Sequence, residues 1–251
     1  MVLSVKQMYM KLANVIASML SCFLLSCNSQ QQANNSMVAN GEATTAEEVN
    51  LLGSFVGNFG DNKITLLITK ATSDSVAGRS IVGGYDRPFS GTVNRSKSVC
   101  TISAKEPGDE QHDGIFNFSV DPKIPTEIKG NWTPYKPTAS INAKEFTLKR
   151  KAFTYLKEVG DFPQASTRLL IEDDVNNLAK EELQYMRNEI FARHGYCFKT
   201  KILRESFENK DWYIPNTVDV KKDLTDFEIK NITLIKKYEK YAVEFGDDFG
   251  R

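Results

Sequence analysis

The chain has 251 residues, of which 41% are apolar, and it carries 32 basic and 32 acidic side chains. This length allows one large or two modest globular domains, each with its own hydrophobic core. A formal charge of zero argues against nucleic acid as a partner, because phosphate neutralisation needs clustered lysine and arginine.

The N-terminus predicts a lipoprotein signal peptide over residues 1–26. A basic start precedes an uncharged run of about fifteen residues, shorter than the roughly twenty that span a bilayer. The ending Leu-Leu-Ser-Cys at 24–27 resembles the bacterial lipobox, which implies cleavage before Cys27 and acylation of that cysteine. Cleavage at Cys22, after a poorer preceding residue, and an uncleaved apolar anchor helix are the alternatives.

Residues 27–50 are predicted to be the acylated cysteine followed by a flexible tether. The segment has no aromatic residue and almost no large aliphatic one, so it cannot bury enough surface to fold. Several acyl chains on Cys27 would anchor the chain stably in a membrane. The predicted location is therefore the bacterial cell envelope, at the outer membrane or the outer face of the cell membrane.

Two cysteines remain after cleavage and acylation, Cys100 and Cys197. They fall in different predicted domains, and a lone cysteine in a domain is usually a small buried hydrophobic residue. Free thiols are therefore expected, with a disulfide between the two as the alternative.

Residues 51–155 are predicted to form an all-β domain, either a barrel or a sandwich of antiparallel strands. Short apolar or alternating segments recur here at about 8–12 residues, a spacing typical of these folds. In one segment Ile64, Leu66 and Ile68 share a face. The segments are GSFVGNF, NKITLLIT, SVAGRSIV, FSGTV, SVCTISA, GIFNFSV, TEIKGNW and KEFTLKR.

One loop of this domain, EPGDEQHDG, is rich in titratable side chains. It lacks the alternating ligand positions of an EF-hand calcium loop, so a solvated hairpin tip is predicted and calcium binding is the alternative. No metal and no cofactor is predicted for the chain. The titratable residues of the loop are Glu106, Asp109, Glu110, His112 and Asp113.

Residues 171–245 are predicted to be a small, mainly helical domain, joined to the β-domain by a linker over residues 156–170. From Leu178 to His194 apolar residues recur at three- and four-residue spacing, which indicates a helix. Gly195 follows at the place of a left-handed helix stop. The predicted fold class is therefore α+β, an antiparallel barrel or sandwich followed by a three-helix module.

Two further helices complete the predicted module. The stretch from Lys199 to Asn209 is compatible with a short helix. The last helix is predicted from Thr225 to about Tyr241. Thr225 and Glu228, three positions apart, form the sequence signature of a capping box.

Polar residues interrupt the apolar faces of these helices. Arg187 and His194 fall in the apolar stripe of the first helix, and Asn231 lies on the apolar side of the last. Since buried polar groups must be paired, the three residues predict a buried polar network that fixes the helix crossings. Glu189 and Arg193, four residues apart outside that stripe, predict a surface ion pair.

A ligand pocket is the alternative interpretation of the same polar residues. Arg187 and His194 would ring the pocket, and Tyr196, Trp212 and Tyr213 would form its walls. These three aromatic residues are also the candidates for an exposed contact surface. Together the five residues are the candidate binding site.

The same part of the chain, over roughly residues 176–241, contains a distinctive set of residues. They are RNEIFARHGY at 187–196, Phe198, Phe207, Trp212, Tyr213, Pro215, Asn231 and Ile232. This set resembles the YARHG domain, a module of bacterial exported proteins with no established molecular function. Phe191 stands where the tyrosine of the family name would be, so one hydroxyl is missing, and Ile214 intervenes before Pro215.

The predicted function is that of a non-catalytic binding or scaffolding module. No G-x-S-x-G, H-E-x-x-H or phosphate-binding loop occurs, so no catalytic residue is predicted and enzymatic activity is left open. The predicted partner is an unidentified envelope component or protein. A cell-wall hydrolase using His194 is one alternative. The other is a carrier with an apolar ligand among Phe55, Phe59, Phe116, Phe118 and Trp132.

Overall fold

Eight antiparallel strands close into a barrel in the computed structural model, which describes residues 49–245. Every strand pairs with the next along the chain, and β8 returns to β1 through the pair Phe55 and Arg150. The strands coincide with the predicted segments, which confirms the antiparallel barrel. They are β1 Gly53–Phe59, β2 Asn62–Ala71, β3 Ser75–Val82, β4 Tyr85–Arg95, β5 Cys100–Lys105, β6 Gly114–Val120, β7 Glu127–Pro134 and β8 Lys144–Arg150.

The predicted signal peptide over residues 1–26, its Cys27 and the tether up to residue 48 lie outside the described residues. Within residues 49–245, no helix is both long enough and apolar enough to cross a membrane.

Alternating side chains fill the inside of the barrel. Ile64, Leu66 and Ile68 are buried on one face of β2, as their spacing predicts. Phe55 and Phe118, two of the residues predicted to line an apolar ligand site, are packed in the same core. The centre of the barrel is therefore a filled core, as in other barrels of about eight strands.

The two ends of the barrel differ. Because consecutive strands are antiparallel, the connections β1–β2, β3–β4, β5–β6 and β7–β8 all lie at one end, here called the barrel mouth. At the other end Leu51 is buried in the core cluster. Arg95 and Arg150 hold this segment by donating to the carbonyl groups of Val49 and Asn50. The chain thus closes the end opposite the mouth with its own residues.

The helical region contains the three predicted helices and an additional short one. The predicted linker over residues 156–170 is part of the helical core, because Ala165 has no exposed surface and packs in a cluster with Leu183 and Ile235. The helices are α1 Gln164–Thr167, α2 Lys180–Arg193, α3 Lys201–Phe207 and α4 Asp226–Phe245, with a 3-10 turn at Glu172–Asp174.

Both predicted helix-end signals are confirmed. Gly195 has a φ of 72° directly after α2, a conformation that glycine adopts without strain. Before α4, the backbone N–H of Thr225 donates to Glu228 Oε2 at 2.9 Å, and the Glu228 N–H donates to Thr225 Oγ1 at 3.3 Å. This reciprocal pair is the capping box that the sequence predicts.

The helical region packs directly against the barrel. Lys63, at the start of β2, donates from Nζ to the carbonyl groups of Lys210 and Tyr213 at 2.9 and 3.2 Å. Arg204 Nε of α3 donates to Asn62 Oδ1 at 2.8 Å. These contacts place α3 beside the barrel mouth.

The β3–β4 turn also contacts the helical region. Gly84 has a φ of 83° and donates its N–H to Cys197 Sγ at 3.2 Å. A Cβ at this position would lie 2.5 Å from the Cα of Lys199, so only glycine fits without a shift. Cys197 and Cys100 are both buried, and within residues 49–245 no disulfide joins them.

One carboxyl group at the contact between the barrel and the helical region, that of Glu208, has a shifted pKa. Burial raises the pKa of Glu208 to about 7, while the Lys63 backbone N–H and the charge of Arg204 oppose the increase. Among the described residues, no donor lies within hydrogen-bond distance of its Oε1. Glu208 therefore titrates near neutral pH at the contact between barrel and helices.

Candidate functional site

The end of α2 holds a buried ion pair. Arg193 Nη2 donates to Glu189 Oε2 at 2.5 Å, and neither side chain has exposed surface. The other N–H groups of Arg193 donate to Val159 O and Ser166 Oγ, and the carboxylate accepts two backbone N–H groups of the segment 156–170. The prediction of a surface pair is wrong, because this segment folds over that face of the helix.

His194 is also held inside the helical region. Its Nε2 lies 2.9 Å from Glu228 Oε2, and its ring stacks on Tyr155 with the centroids 4.3 Å apart. Tyr155 donates its hydroxyl to Glu228 Oε1 at 3.0 Å. Burial alone would raise the pKa of Glu228, but the hydrogen bonds it accepts, that of His194 foremost, lower it to about 2.

Arg187 and Asn231 have other partners, so the three residues predicted to form one network do not bond to one another. Arg187 Nε donates to Glu239 Oε1 at 2.6 Å, in a pair that keeps some solvent exposure. The buried amide of Asn231 accepts the N–H of Leu170 at 2.8 Å and donates to two carbonyl groups of residues 165–168. Arg187 and His194 each join α2 to α4, whereas Asn231 joins α4 to residues 165–170.

The predicted aromatic contact surface is mostly a small core. Tyr213 is only 1% exposed, packs in a cluster with Phe198 and Phe207, and donates its hydroxyl to Tyr196 O at 2.8 Å. Tyr196 and Trp212 are half-buried against the same cluster. The prediction of an exposed aromatic contact is therefore wrong for Tyr213.

His194 and Cys197 do not form a catalytic pair, although three positions separate them. His194 bonds to Glu228, while the Cys197 sulfur accepts the Gly84 N–H. Burial raises the pKa of the Cys197 thiol to about 11, the opposite of what an activated nucleophile needs. Within residues 49–245, no group of three or more His, Cys, Asp or Glu side chains could hold a metal ion.

A cavity of about 320 Å³ opens at the barrel mouth. Pockets for small molecules usually measure about 300–1,000 Å³, so this one is at the small end of that range. Barrel hairpins and the helical region contribute to it together. It is lined by Phe59, Asn62, Val82, Gly83, Tyr85, Arg87, Glu106, His112, Phe116, Trp132, Ser140, Ile141, Lys144, Lys199 and Arg204.

Glu106 is a buried carboxyl group in the wall of this cavity. It accepts hydrogen bonds from Ser80 Oγ at 2.5 Å, Trp132 Nε1 at 3.0 Å and a backbone N–H at 3.1 Å. Burial raises its pKa, and these bonds oppose the increase. The loop predicted as a solvated tip is thus anchored at both ends, because Asp113 is also buried and pairs with Arg87 at 3.3 Å.

Basic side chains outnumber acidic ones in the lining. Lys144 Nζ lies 5.0 Å from the ring centroid of Phe59, and Lys199 Nζ lies 5.1 Å from that of Tyr85. No carboxylate within residues 49–245 pairs with either ammonium group. The basic residues are Arg87, Lys144, Lys199 and Arg204, against the single carboxyl group of Glu106.

Comparison with known proteins identifies one domain. Residues 160–240 match the YARHG domain family. This domain is typical of extracellular or periplasmic proteins, which supports an exported protein. No curated protein and no solved structure gives a significant match to the chain.

Proposed function

We propose that the chain is an exported, lipid-anchored protein of the bacterial cell envelope that binds a small envelope component without changing it chemically. The observation that carries this proposal is the cavity at the barrel mouth, with basic groups left without carboxylate partners. The polar groups of the helical motif, in contrast, are satisfied within the fold. Binding therefore belongs to the mouth, and the motif acts as a brace.

The anchor is proposed at Cys27. The segment predicted from the sequence as a tether would connect this lipid to the barrel. Val49 and Asn50, the first described residues, are bound at the barrel end opposite the mouth.

Replacement of Cys27 tests the anchor. We expect Cys27→Ser to abolish incorporation of radiolabelled palmitate into the chain and to release the protein from the membrane fraction. Cys22→Ser is the matched control and should keep both the label and the membrane association. Labelling that survives Cys27→Ser but is lost with Cys22→Ser would place the lipid on Cys22 and contradict the proposed anchor.

Filling the cavity tests the binding function. Ser140 is exposed at the mouth and lines the cavity, so Ser140→Trp should occupy the space without disturbing the core. We expect native mass spectrometry of the chain purified from bacterial envelopes to show a small-molecule adduct that is reduced at least tenfold in Ser140→Trp. Ser98→Trp places the same side chain in the β4–β5 loop at the opposite end and should keep the adduct. Loss of the adduct in both variants, or its absence from the wild type, would contradict binding at the mouth.

A further inference from the structure

We infer that the ligand of the barrel mouth is a small organic anion with a flat apolar body, an inference that rests on the function proposed above. The negative charge and the flat apolar body are inferred from two different parts of the cavity. Basic side chains from the barrel and from the helical region lie around the opening. Aromatic side chains from the barrel core form its inner wall.

The charge balance of the lining favours an anion. The ammonium groups of Lys144 and Lys199 lie over aromatic rings and pair with no carboxylate of residues 49–245, and a ring face holds a cation more weakly than a carboxylate does. A ligand carboxylate, sulfonate or phosphate could form an ion pair with both ammonium groups. A cationic ligand would meet repulsion from the same groups, with no free carboxylate to offset it.

Glu106 does not reverse this balance. Its carboxyl group already accepts three hydrogen bonds from the protein, one on Oε1 and two on Oε2, so both oxygens are engaged within the fold. Its bond to Trp132 instead fixes the indole ring as part of the inner wall. Glu106 is therefore a positioning residue for the aromatic surface.

The inner wall favours a flat apolar group. Phe59 lies 5.8 Å from Trp132 and 6.3 Å from Phe116 between ring centroids, and Val82 and Ile141 flank these rings at the edge of the core. These distances show that the rings pack against one another, and the apolar surface that they turn towards the cavity can stack with a flat ligand in offset or edge-to-face geometry. An inorganic anion would leave this apolar surface in water, so it would use only half of the site.

The size of the cavity limits the length of the ligand. A volume of about 320 Å³ accommodates a compact molecule, while the filled barrel core below leaves no channel for a long acyl chain or a polymer. Compact aromatic acids are the class that satisfies size, charge and apolar surface together.

Titration calorimetry with matched probes tests the inference. The full chain, held in phosphatidylcholine nanodiscs, would be titrated with 1-naphthoate, with its uncharged counterpart 1-naphthamide, and with inorganic phosphate. We expect naphthoate to bind at least tenfold more tightly than either of the other two. The double variant Lys144→Gln/Lys199→Gln should lose at least tenfold in naphthoate affinity and change naphthamide binding less than twofold.

The control for charge is Lys70→Gln/Lys149→Gln. Both of these lysines are exposed on the barrel strands outside the cavity, so the variant removes the same net charge without touching the lining. It should keep the wild-type affinity for naphthoate. An equal loss in the control, equal binding of naphthoate and naphthamide, or no naphthoate binding at all would overturn the inference.

The same data separate the inference from the function on which it rests. If native mass spectrometry shows that Ser140→Trp loses an uncharged or cationic adduct, the mouth is a binding site and the inferred preference for anions is wrong. If inorganic phosphate binds as tightly as naphthoate, the basic groups alone form the site and the aromatic wall takes no part.

Discussion

Replacing Arg193 by methionine is expected to lower the free energy of unfolding by about 3–5 kcal/mol. The substitution keeps an unbranched apolar stem but removes the guanidinium group and all its N–H donors. The carboxylate of Glu189, which has no exposed surface, would then keep only two backbone N–H groups as partners. A buried charge without its counter-ion is among the most destabilising changes available in a small domain.

Arg187→Met is the matched control on the same helix. Arg187 pairs with Glu239 in a partly exposed position, where water replaces the lost partner, so a loss of about 1 kcal/mol or less is expected. The measurement is urea unfolding, followed by the circular dichroism of the helices. Adding Glu189→Gln to Arg193→Met removes the stranded charge and should recover part of the loss. Equal losses in the two single variants would show that the pair of Arg193 is not a buried brace.

Glu228→Gln is expected to lower the stability by about 2–3 kcal/mol near pH 7. The pKa of Glu228 falls from its ordinary 4.5 to about 2 in the folded chain, a difference equivalent to about 3 kcal/mol in favour of the ionised folded state. Because the folded pKa is the lower one, this stabilisation is present above pH 4.5 and is lost as the pH falls towards 2. The variant should therefore lose less stability than the wild type over that acid range.

Glu244→Gln provides the comparison for this pH profile. Glu244 is exposed on the same helix, α4, so its loss should leave the wild-type dependence of stability on pH between about 5 and 2. The measurement is the urea midpoint at several pH values for the three proteins. A Glu228→Gln variant as stable as wild type at neutral pH would mean that His194 is not held by this carboxylate. The RHGY segment would then regain its place as a candidate ligand site.

Much of the fold follows from local patterns in the sequence. Alternation in segments such as NKITLLIT identifies each strand, and the meander topology needs only neighbouring segments to pair. Gly195 and the Thr225–Glu228 pair mark helix ends for reasons that act within one turn of the chain. Features that depend on neighbouring residues in this way can be predicted from the sequence alone.

The surface ion pair at Glu189 and Arg193 is the instructive error. An apolar stripe identifies the buried face of a helix that packs on one side only. Helix α2 packs on α4 and is also covered by residues 159–170, so its buried residues include Asn188 and Arg193 outside the stripe. Residues 159–170 are predicted to be a linker because their apolar residues follow no helical or strand period. In the structure, this segment supplies the backbone groups that bind Glu189 and Arg193.

The cavity was predicted in part. Phe59, Phe116 and Trp132, three of the five aromatic residues that the sequence suggests for an apolar ligand, do line it, whereas Phe55 and Phe118 do not. Its charged lining could not be predicted, because Arg87, Glu106, Lys144 and Lys199 are brought together only by the closed barrel and the packing of α3. No spacing along the chain marks these residues, and each resembles an ordinary surface charge. Glu106 in particular looked like part of a solvated loop until the fold supplied Trp132 and Ser80 as its partners.

Lys199 and Arg204 approach the mouth from the helical region, whereas the aromatic wall belongs to the barrel. If the mouth binds a ligand as proposed, a substitution in α3 or just before it would change the affinity for that ligand without any change in the barrel's own sequence. The helical region would then set the charge that the site accepts, and the barrel would set the shape.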